Sequence, residues 1–206
     1  MAAMTEEERL PEPGTLRDQR KADRRKALLD AAARLFADRG YGGVSMRDLG
    51  AAVDVSGPAI YRHFASKQDV LVELLVGISE RLLANGQRQA EESTGPADAL
   101  RRLVDAHVAF AVSDIDLIRV QDRDLASLNP DAQHQVRRLQ RQYVEIWVAV
   151  LRQLDPELPN SQARVRAHAA FGLINSTPHG FSGVAEPQVR EILARMALQS
   201  LAGDSR

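Results

Sequence analysis

Apolar residues recur along most of the chain at spacings of three and four, and the breaks between these runs divide it into helices. In RRKALLDAAARLFADRG, Leu28, Ala31, Ala32, Leu35 and Phe36 form one face of a helix that Gly40 closes. Met46, Leu49 and Val53 predict a short second helix, opened by Ser45 and Asp48 at the capping-box spacing. Asp54 marks a turn. Ser56 is the next N-cap, and Pro58 falls in the first turn of a third helix whose buried edge is Ile60 and Phe64. Ser66 and Asp69 repeat the capping spacing and open a fourth helix over about residues 67–91, which Gly95 and Pro96 terminate.

Five further helical patterns lie at about residues 97–112, 114–127, 130–154, 160–177 and 186–202, separated by SD, NP, DPELPN and TPHGFSGVAEP. No strand-like alternation persists, so the chain reads as all-α with about nine helices. Residues 1–20, with three consecutive Glu, two Pro and no periodicity, predict a disordered tail. Residues 21–66 then form a three-helix helix-turn-helix domain, and residues 67–206 a larger helical domain.

Composition narrows the class. The 206 residues, 44% apolar and 27% charged, suffice for one medium domain or two small ones. No apolar run reaches the roughly 18–20 residues that span a bilayer, and the start MAAMTEEERLPEPG lacks a signal peptide's apolar centre, so a cytoplasmic location without membrane contact is expected. The absence of Cys excludes disulfides, thiolate catalysis and cysteine metal sites. A net charge of −1 does not by itself suggest nucleic acid. Residues 17–67, however, hold 11 Lys and Arg against 6 Asp and Glu, a local +5 within an otherwise acidic chain.

That basic stretch contains the third helix, whose outward residues are Gly57, Pro58, Ala59, Tyr61, Arg62 and His63. Pro58 and Ala59 suit a thymine methyl, Arg62 suits guanine acceptors, and Tyr61, His63 and Lys67 suit phosphates. Small side chains at Gly57 and Ala59 let a helix backbone approach a groove floor. A solvated amphipathic helix pair would give a similar pattern. Arg17, Arg20 and Lys21 fit either a minor-groove arm or a solvated charge run.

Residues 24–75, with RxxLLDAAxxLFAxRGYxxVSMRDLGxxxxVSxxAIYRHFxSKxxVL, closely resemble the N-terminal domain of the TetR family of bacterial transcriptional regulators. The resemblance implies a homodimer whose paired recognition helices read palindromic double-stranded DNA, with a small-molecule effector in the C-terminal domain altering their separation. Carried over by position, Ser45, Arg47, Tyr61, His63 and Lys67 would clamp the DNA backbone. Ser56, Gly57, Pro58, Ala59 and Arg62 would lie nearest the bases. Many relatives carry a bulkier or charged side chain near Ser56-Gly57-Pro58, which leaves the bases read open.

The C-terminal region offers a candidate ligand site and a candidate interface. His107, Tyr143, Trp147 and Asn175 place polar groups beside apolar stripes and are the ligand-binding candidates; satisfied core residues would look the same. Ala163, Ala167, Ala170 and Gly172, with Val165, Phe171, Leu173, Ile174, Ile192, Leu193, Met196 and Leu201, suit either a four-helix dimer bundle from the last two helices or packing within one chain.

The segment from Arg119 to Trp147 is similar to TetR relatives that answer acyl-CoA thioesters. Its Arg119, Arg123, Arg137, Arg138 and Arg141 either pair with CoA phosphates or form surface ion pairs. The reading that follows is a transcriptional repressor released by a small apolar or amphipathic ligand such as an acyl-CoA. An architectural or corepressor-type DNA-binding protein without a ligand is the alternative. An enzyme is a third class. His107, His168 and His179 are scattered and no catalytic or phosphate-loop motif occurs, so no catalytic residue, metal or cofactor is expected.

Overall fold

A computed structural model describes residues 16–181 and 183–202. It is built from α1 (Leu16–Arg39), α2 (Met46–Ala51), α3 (Gly57–Ile60), α4 (Lys67–Glu91), α5 (Pro96–Ser113), α6 (Ile115–Asp124), α7 (Pro130–Leu154), α8 (Asn160–Ile174) and α9 (Glu186–Leu201). Short 3-10 turns follow α6 and α8, and the described residues contain no strand. No helix is long and apolar enough to cross a membrane. The tail expected over residues 1–20 lies outside the described residues as far as residue 15. From Leu16 onward the structure corrects the expectation: residues 16–20 already belong to α1. Their Leu, Arg, Gln and Asp continue directly into Lys21-Ala22, a run of mostly good helix formers, and that propensity outweighs the lack of an apolar stripe.

Local chemistry accounts for the helix boundaries. At α2 the capping box is complete: Ser45 Oγ accepts from Asp48 N–H (3.2 Å), and the Asp48 carboxylate accepts from Ser45 N–H (2.8 Å). Ser66 Oγ caps α4 by accepting from Asp69 N–H (3.1 Å), and Asn129 Oδ1 caps α7 by accepting from Ala132 N–H (2.8 Å). Pro stands in the first turn of α3, α5, α7 and α9, where its missing N–H removes no intrahelical bond.

Two apolar cores form. One gathers Leu28, Phe36, Leu49, Ile60, Phe64 and Leu71 from the first four helices, and continues into Leu117 and Val120 of α6 and Val136 and Leu139 of α7. The other holds Leu103, Val104, Trp147, Val148, Ala167, Ile174 and Leu193. Residues 66 and 67, the expected domain boundary, are the N-cap and first residue of α4, and the first core runs across them. Long α4 packs along α7 and α5, so its N-terminal half belongs to the first core and its far half lies beside the second.

The turn between α2 and α3 winds around Gly50, whose carbonyl accepts from Val53 N–H (3.2 Å) and Val55 N–H (2.9 Å). Asp54 takes the left-handed conformation there, φ 54°. A Cβ on Gly50 would sit 2.6 Å from the Val55 carbonyl oxygen, which is backbone and has no rotamer to yield. Gly50→Ala is therefore expected to cost about 1–3 kcal/mol and to lower the urea-unfolding midpoint. Gly57→Ala should leave the midpoint near wild type, because its Cβ meets nothing within 4 Å. Equal midpoints for Gly50→Ala and wild type would show that the turn does not depend on this close approach.

Candidate nucleic-acid interface and ligand cavity

The third helix is shorter than its sequence pattern. Regular helix covers only Gly57–Ile60, and the chain continues to Phe64 in tighter turns, with Arg62 N–H donating to Ala59 O (3.1 Å) and His63 N–H to Ile60 O (2.9 Å). Arg25 of α1 explains where this segment is tied down. Its guanidinium donates to the His63 carbonyl, pairs with both Glu73 oxygens on α4, and lies 4.1 Å over the Phe64 ring. One side chain thus fixes α1, α4 and the end of α3 together.

Of the expected DNA-facing residues, Ser45, Arg47, Ser56, Gly57, Pro58, Tyr61 and Arg62 are exposed, while Ala59 and His63 are half-buried. Tyr61 keeps 57% of its surface although it is a large aromatic. Ser56 is the N-cap residue of α3, yet its side chain makes no cap bond. His63 Nδ1 is buried without a partner. Burial, followed by the charges of Arg25, Lys21 and Arg24, holds its imidazole below the ordinary histidine range.

Lys67 departs from its expected role as a phosphate clamp. Its ammonium donates to the carbonyls of Tyr41 and Val44, both at 2.7 Å, and lies 4.3 Å over the Tyr41 ring. Two otherwise orphaned loop carbonyls draw it inward, so it fastens the α1–α2 loop to the start of α4.

A second set of contacts ties this region to α6. Arg123 donates to the Phe36 carbonyl at the end of α1, and Asp124, 6% exposed, accepts from Tyr41 N–H (3.3 Å). Gln68 at the start of α4 donates to Ser127 O (3.2 Å). None of these partners is near in sequence.

In the C-terminal half, a cavity of ≈ 240 Å³ opens between α4, α5, α6, α7 and α8. His107, Tyr143 and Asn175 line it, together with Phe110, Phe171, Ile118, Gln121, Gln140, Ser79 and His168, which the sequence reading did not select for the pocket. Trp147 does not line it. This side chain, 0% exposed, stands behind Tyr143 and Phe171 with ring centroids 6.2 and 4.9 Å away, and belongs to the core. The Tyr143 hydroxyl and His107 Nδ1 are 3.2 Å apart, while His107 Nε2 and Asn175 Oδ1 have no partner. Burial raises the Tyr143 pKa.

Most of the small residues proposed for an interface turn inward. Ala163, Ala167, Ala170, Ile174, Leu193 and Leu201 are buried within this chain, because α8 and α9 must first cover α5 and α7. Val165 (68% exposed), Met196 (46%) and Gly172 remain outside, with Ile192 half-buried. The arginines also divide. Arg119 reaches Pro178 O and Asp116, and Arg123 is spent on α1, whereas Arg137 and Arg141 join Arg164 around a shallow depression that shares Gln140, Val144 and His168 with the cavity lining. The described residues hold no cluster of three or more His, Cys, Asp or Glu that could hold a metal ion.

Comparison with known proteins agrees with this architecture. Residues 28–74 match a family model for bacterial regulatory proteins of the tetR family, and residues 93–201 match one for a tetracyclin repressor-like C-terminal domain. The chain is 28% identical over 138 residues to the HTH-type transcriptional repressor KstR2 of Mycobacterium tuberculosis, covering 63% of this chain and 66% of that one. It is 31% identical over 109 residues to the HTH-type transcriptional activator FasR of Mycolicibacterium smegmatis, covering 52% and 50%. The chain thus spans about half to two thirds of the length of these curated relatives. Among solved structures, the TetR family regulator PfmR of Thermus thermophilus superposes with a TM-score of 0.75 at 26% identity, covering 87% of this chain and 99% of that one.

Burial pushes the His107 pKa down to about 4 from an ordinary 6.5, against a smaller opposing effect of Asn175. Below pH 6.5 the unfolded chain takes up a proton that the folded chain refuses until about pH 4. The stability His107 contributes is therefore full above 6.5 and falls through that window, by about 3 kcal/mol in all. Urea-unfolding free energies of wild type and His107→Gln should accordingly converge, or cross, as pH drops from neutral toward about 4. A pH-independent difference would contradict a buried, neutral His107.

Proposed function

The chain belongs to the TetR family of bacterial regulatory proteins, and from that premise we propose that it is a sequence-specific DNA-binding transcriptional regulator whose activity is binding rather than catalysis. The observation that carries this reading is the outer surface of α3. Gly57, Pro58, Tyr61 and Arg62 stand exposed on a rigidly held short helix, with Arg47 exposed on the preceding one. In the proposed assignment Ser45, Arg47, Tyr61 and His63 hold phosphates. Ser56, Gly57, Pro58, Ala59 and Arg62 approach base edges. Residues 21–66 then act as the reading domain and the rest as sensor and dimerisation domain.

A single reading unit covers one half-site, so the proposed functional form is a homodimer on a palindromic operator. The outward stripe of Val165, Gly172, Ile192 and Met196 on α8 and α9 supplies the interface. The proposed sign is repression, relieved by a small apolar or amphipathic ligand in the cavity beside His107. An acyl-CoA bound there would have to leave its phosphates outside, near Arg137 and Arg141. A ligand-free architectural protein has less support, because a filled C-terminal core would not keep unpaired polar atoms of His107 and Asn175 on a cavity wall.

Fluorescence anisotropy against DNA from upstream of the chain's own gene, with a shuffled control over a salt series, tests the reading. Binding should be selective and weaken with salt. Tyr61→Phe should weaken binding to all sequences alike, whereas Arg62→Ala should also relax base preference, by about 1–3 kcal/mol. Equal affinity for both DNAs would remove sequence-specific recognition of that DNA, and altered specificity alone in Tyr61→Phe would reverse the assigned roles. In sedimentation, Val165→Lys is expected to shift the dimer toward monomer and to weaken operator binding. A fully dimeric Val165→Lys would move the interface elsewhere.

A further inference from the structure

The cavity beside His107 has walls of a particular chemistry. No Lys, Arg, Asp or Glu lines it, so nothing there compensates a full charge on a ligand. Aromatic surface dominates: the rings of Tyr143 and Phe171 stack at 5.6 Å, and His107 lies 4.9 Å from Phe171. At ≈ 240 Å³ the space is smaller than the roughly 300–1,000 Å³ of sites that take drug-sized ligands.

Two polar atoms on these walls are unpaired, and their roles follow from the bond beside them. The Tyr143 hydroxyl has no acceptor other than His107 Nδ1 in the structure, so it donates there and leaves the ring hydrogen on Nε2. His107, only 4% exposed, thus presents a buried N–H donor, and Asn175 Oδ1 presents a buried acceptor close enough to act on that ring. A hydroxyl group answers both, accepting from Nε2–H and donating to Oδ1. A carbonyl satisfies only His107, and a carboxylate would meet the Asn175 oxygen with like partial charge.

The geometry points to a compact, uncharged, hydroxylated aromatic ligand as the occupant of this cavity, its hydroxyl held between His107 and Asn175; the assignment rests on the ligand-responsive function proposed above. Exclusion of anions comes from the uncharged walls, and selection of the hydroxyl comes from the unpaired donor and acceptor.

Isothermal titration of the full chain with para-ethylphenol, ethylbenzene and para-ethylbenzoate separates these contributions. The phenol should bind at one per chain, about tenfold or more tighter than ethylbenzene, from the two added hydrogen bonds, and the benzoate should bind most weakly. Asn175→Leu should narrow the gap between phenol and ethylbenzene while retaining ethylbenzene binding. The wild-type comparison stands by itself if that variant fails to fold. Equal affinity for phenol and ethylbenzene would overturn the role of the polar pair, and benzoate binding as tight as phenol would overturn the exclusion of charge. Loss of the phenol signal in a chain that still binds its operator would overturn the ligand class while leaving the DNA-binding reading intact. Absence of operator binding in the same preparation would instead strike at that reading.

Discussion

Apolar contact along α4 is the constraint on which the rest of the molecule depends. Val70, Leu71, Leu74 and Leu75 close the core beneath the helix-turn-helix, and farther on Ser79 and Leu82 reach the cavity wall. A helix of 25 residues rising about 1.5 Å per residue spans both regions without a joint. Because α6 and the first half of α7 enter the same core as α1 and α2, the DNA-reading helices do not hang from α4 alone. Arg123 and Asp124 add polar contacts to that apolar seam, one at the end of α1 and one at the loop beyond it.

Most helix limits were legible in the sequence because the causes are local. Capping at Ser45, Ser66 and Asn129, Pro in first turns and Gly40 after α1 each act within a few residues, and α4 and α7 fall where periodicity and breaks put them. The beginning of α1 was not legible, since its first turns lack an apolar face and depend on propensity alone. Nor was the early end of regular helix in α3. There the decisive partner is Arg25, 38 residues away from the carbonyl it takes.

Individual side-chain roles were readable only where they do not depend on distant partners. Arg47, Tyr61 and Arg62 point outward, as their positions on short amphipathic helices suggested. Lys67 occupies an equally suggestive position, yet the loop carbonyls of Tyr41 and Val44 decide its direction, and no spacing rule encodes them. In the C-terminal half, His107 and Tyr143 were recognisable as polar insertions on apolar stripes. Trp147 follows the same periodicity and still lies behind the wall, because periodicity specifies a face and not a depth. The alanines of α8 illustrate the same ambiguity: close approach is written in their size, but the identity of the helix that approaches is not.

Trp147 is the chain's only tryptophan, it is fully buried, and its ring touches the aromatic group that borders the cavity. Its indole N–H has no acceptor, so the ring's surroundings are set by Phe171, Tyr143 and His107 and not by a fixed polar bond. The intrinsic ultraviolet emission of the protein therefore originates from one site, a single layer of side chains away from the cavity. A shift in those rings changes that emission directly, which gives the unmodified chain an optical probe at the place where its two halves meet.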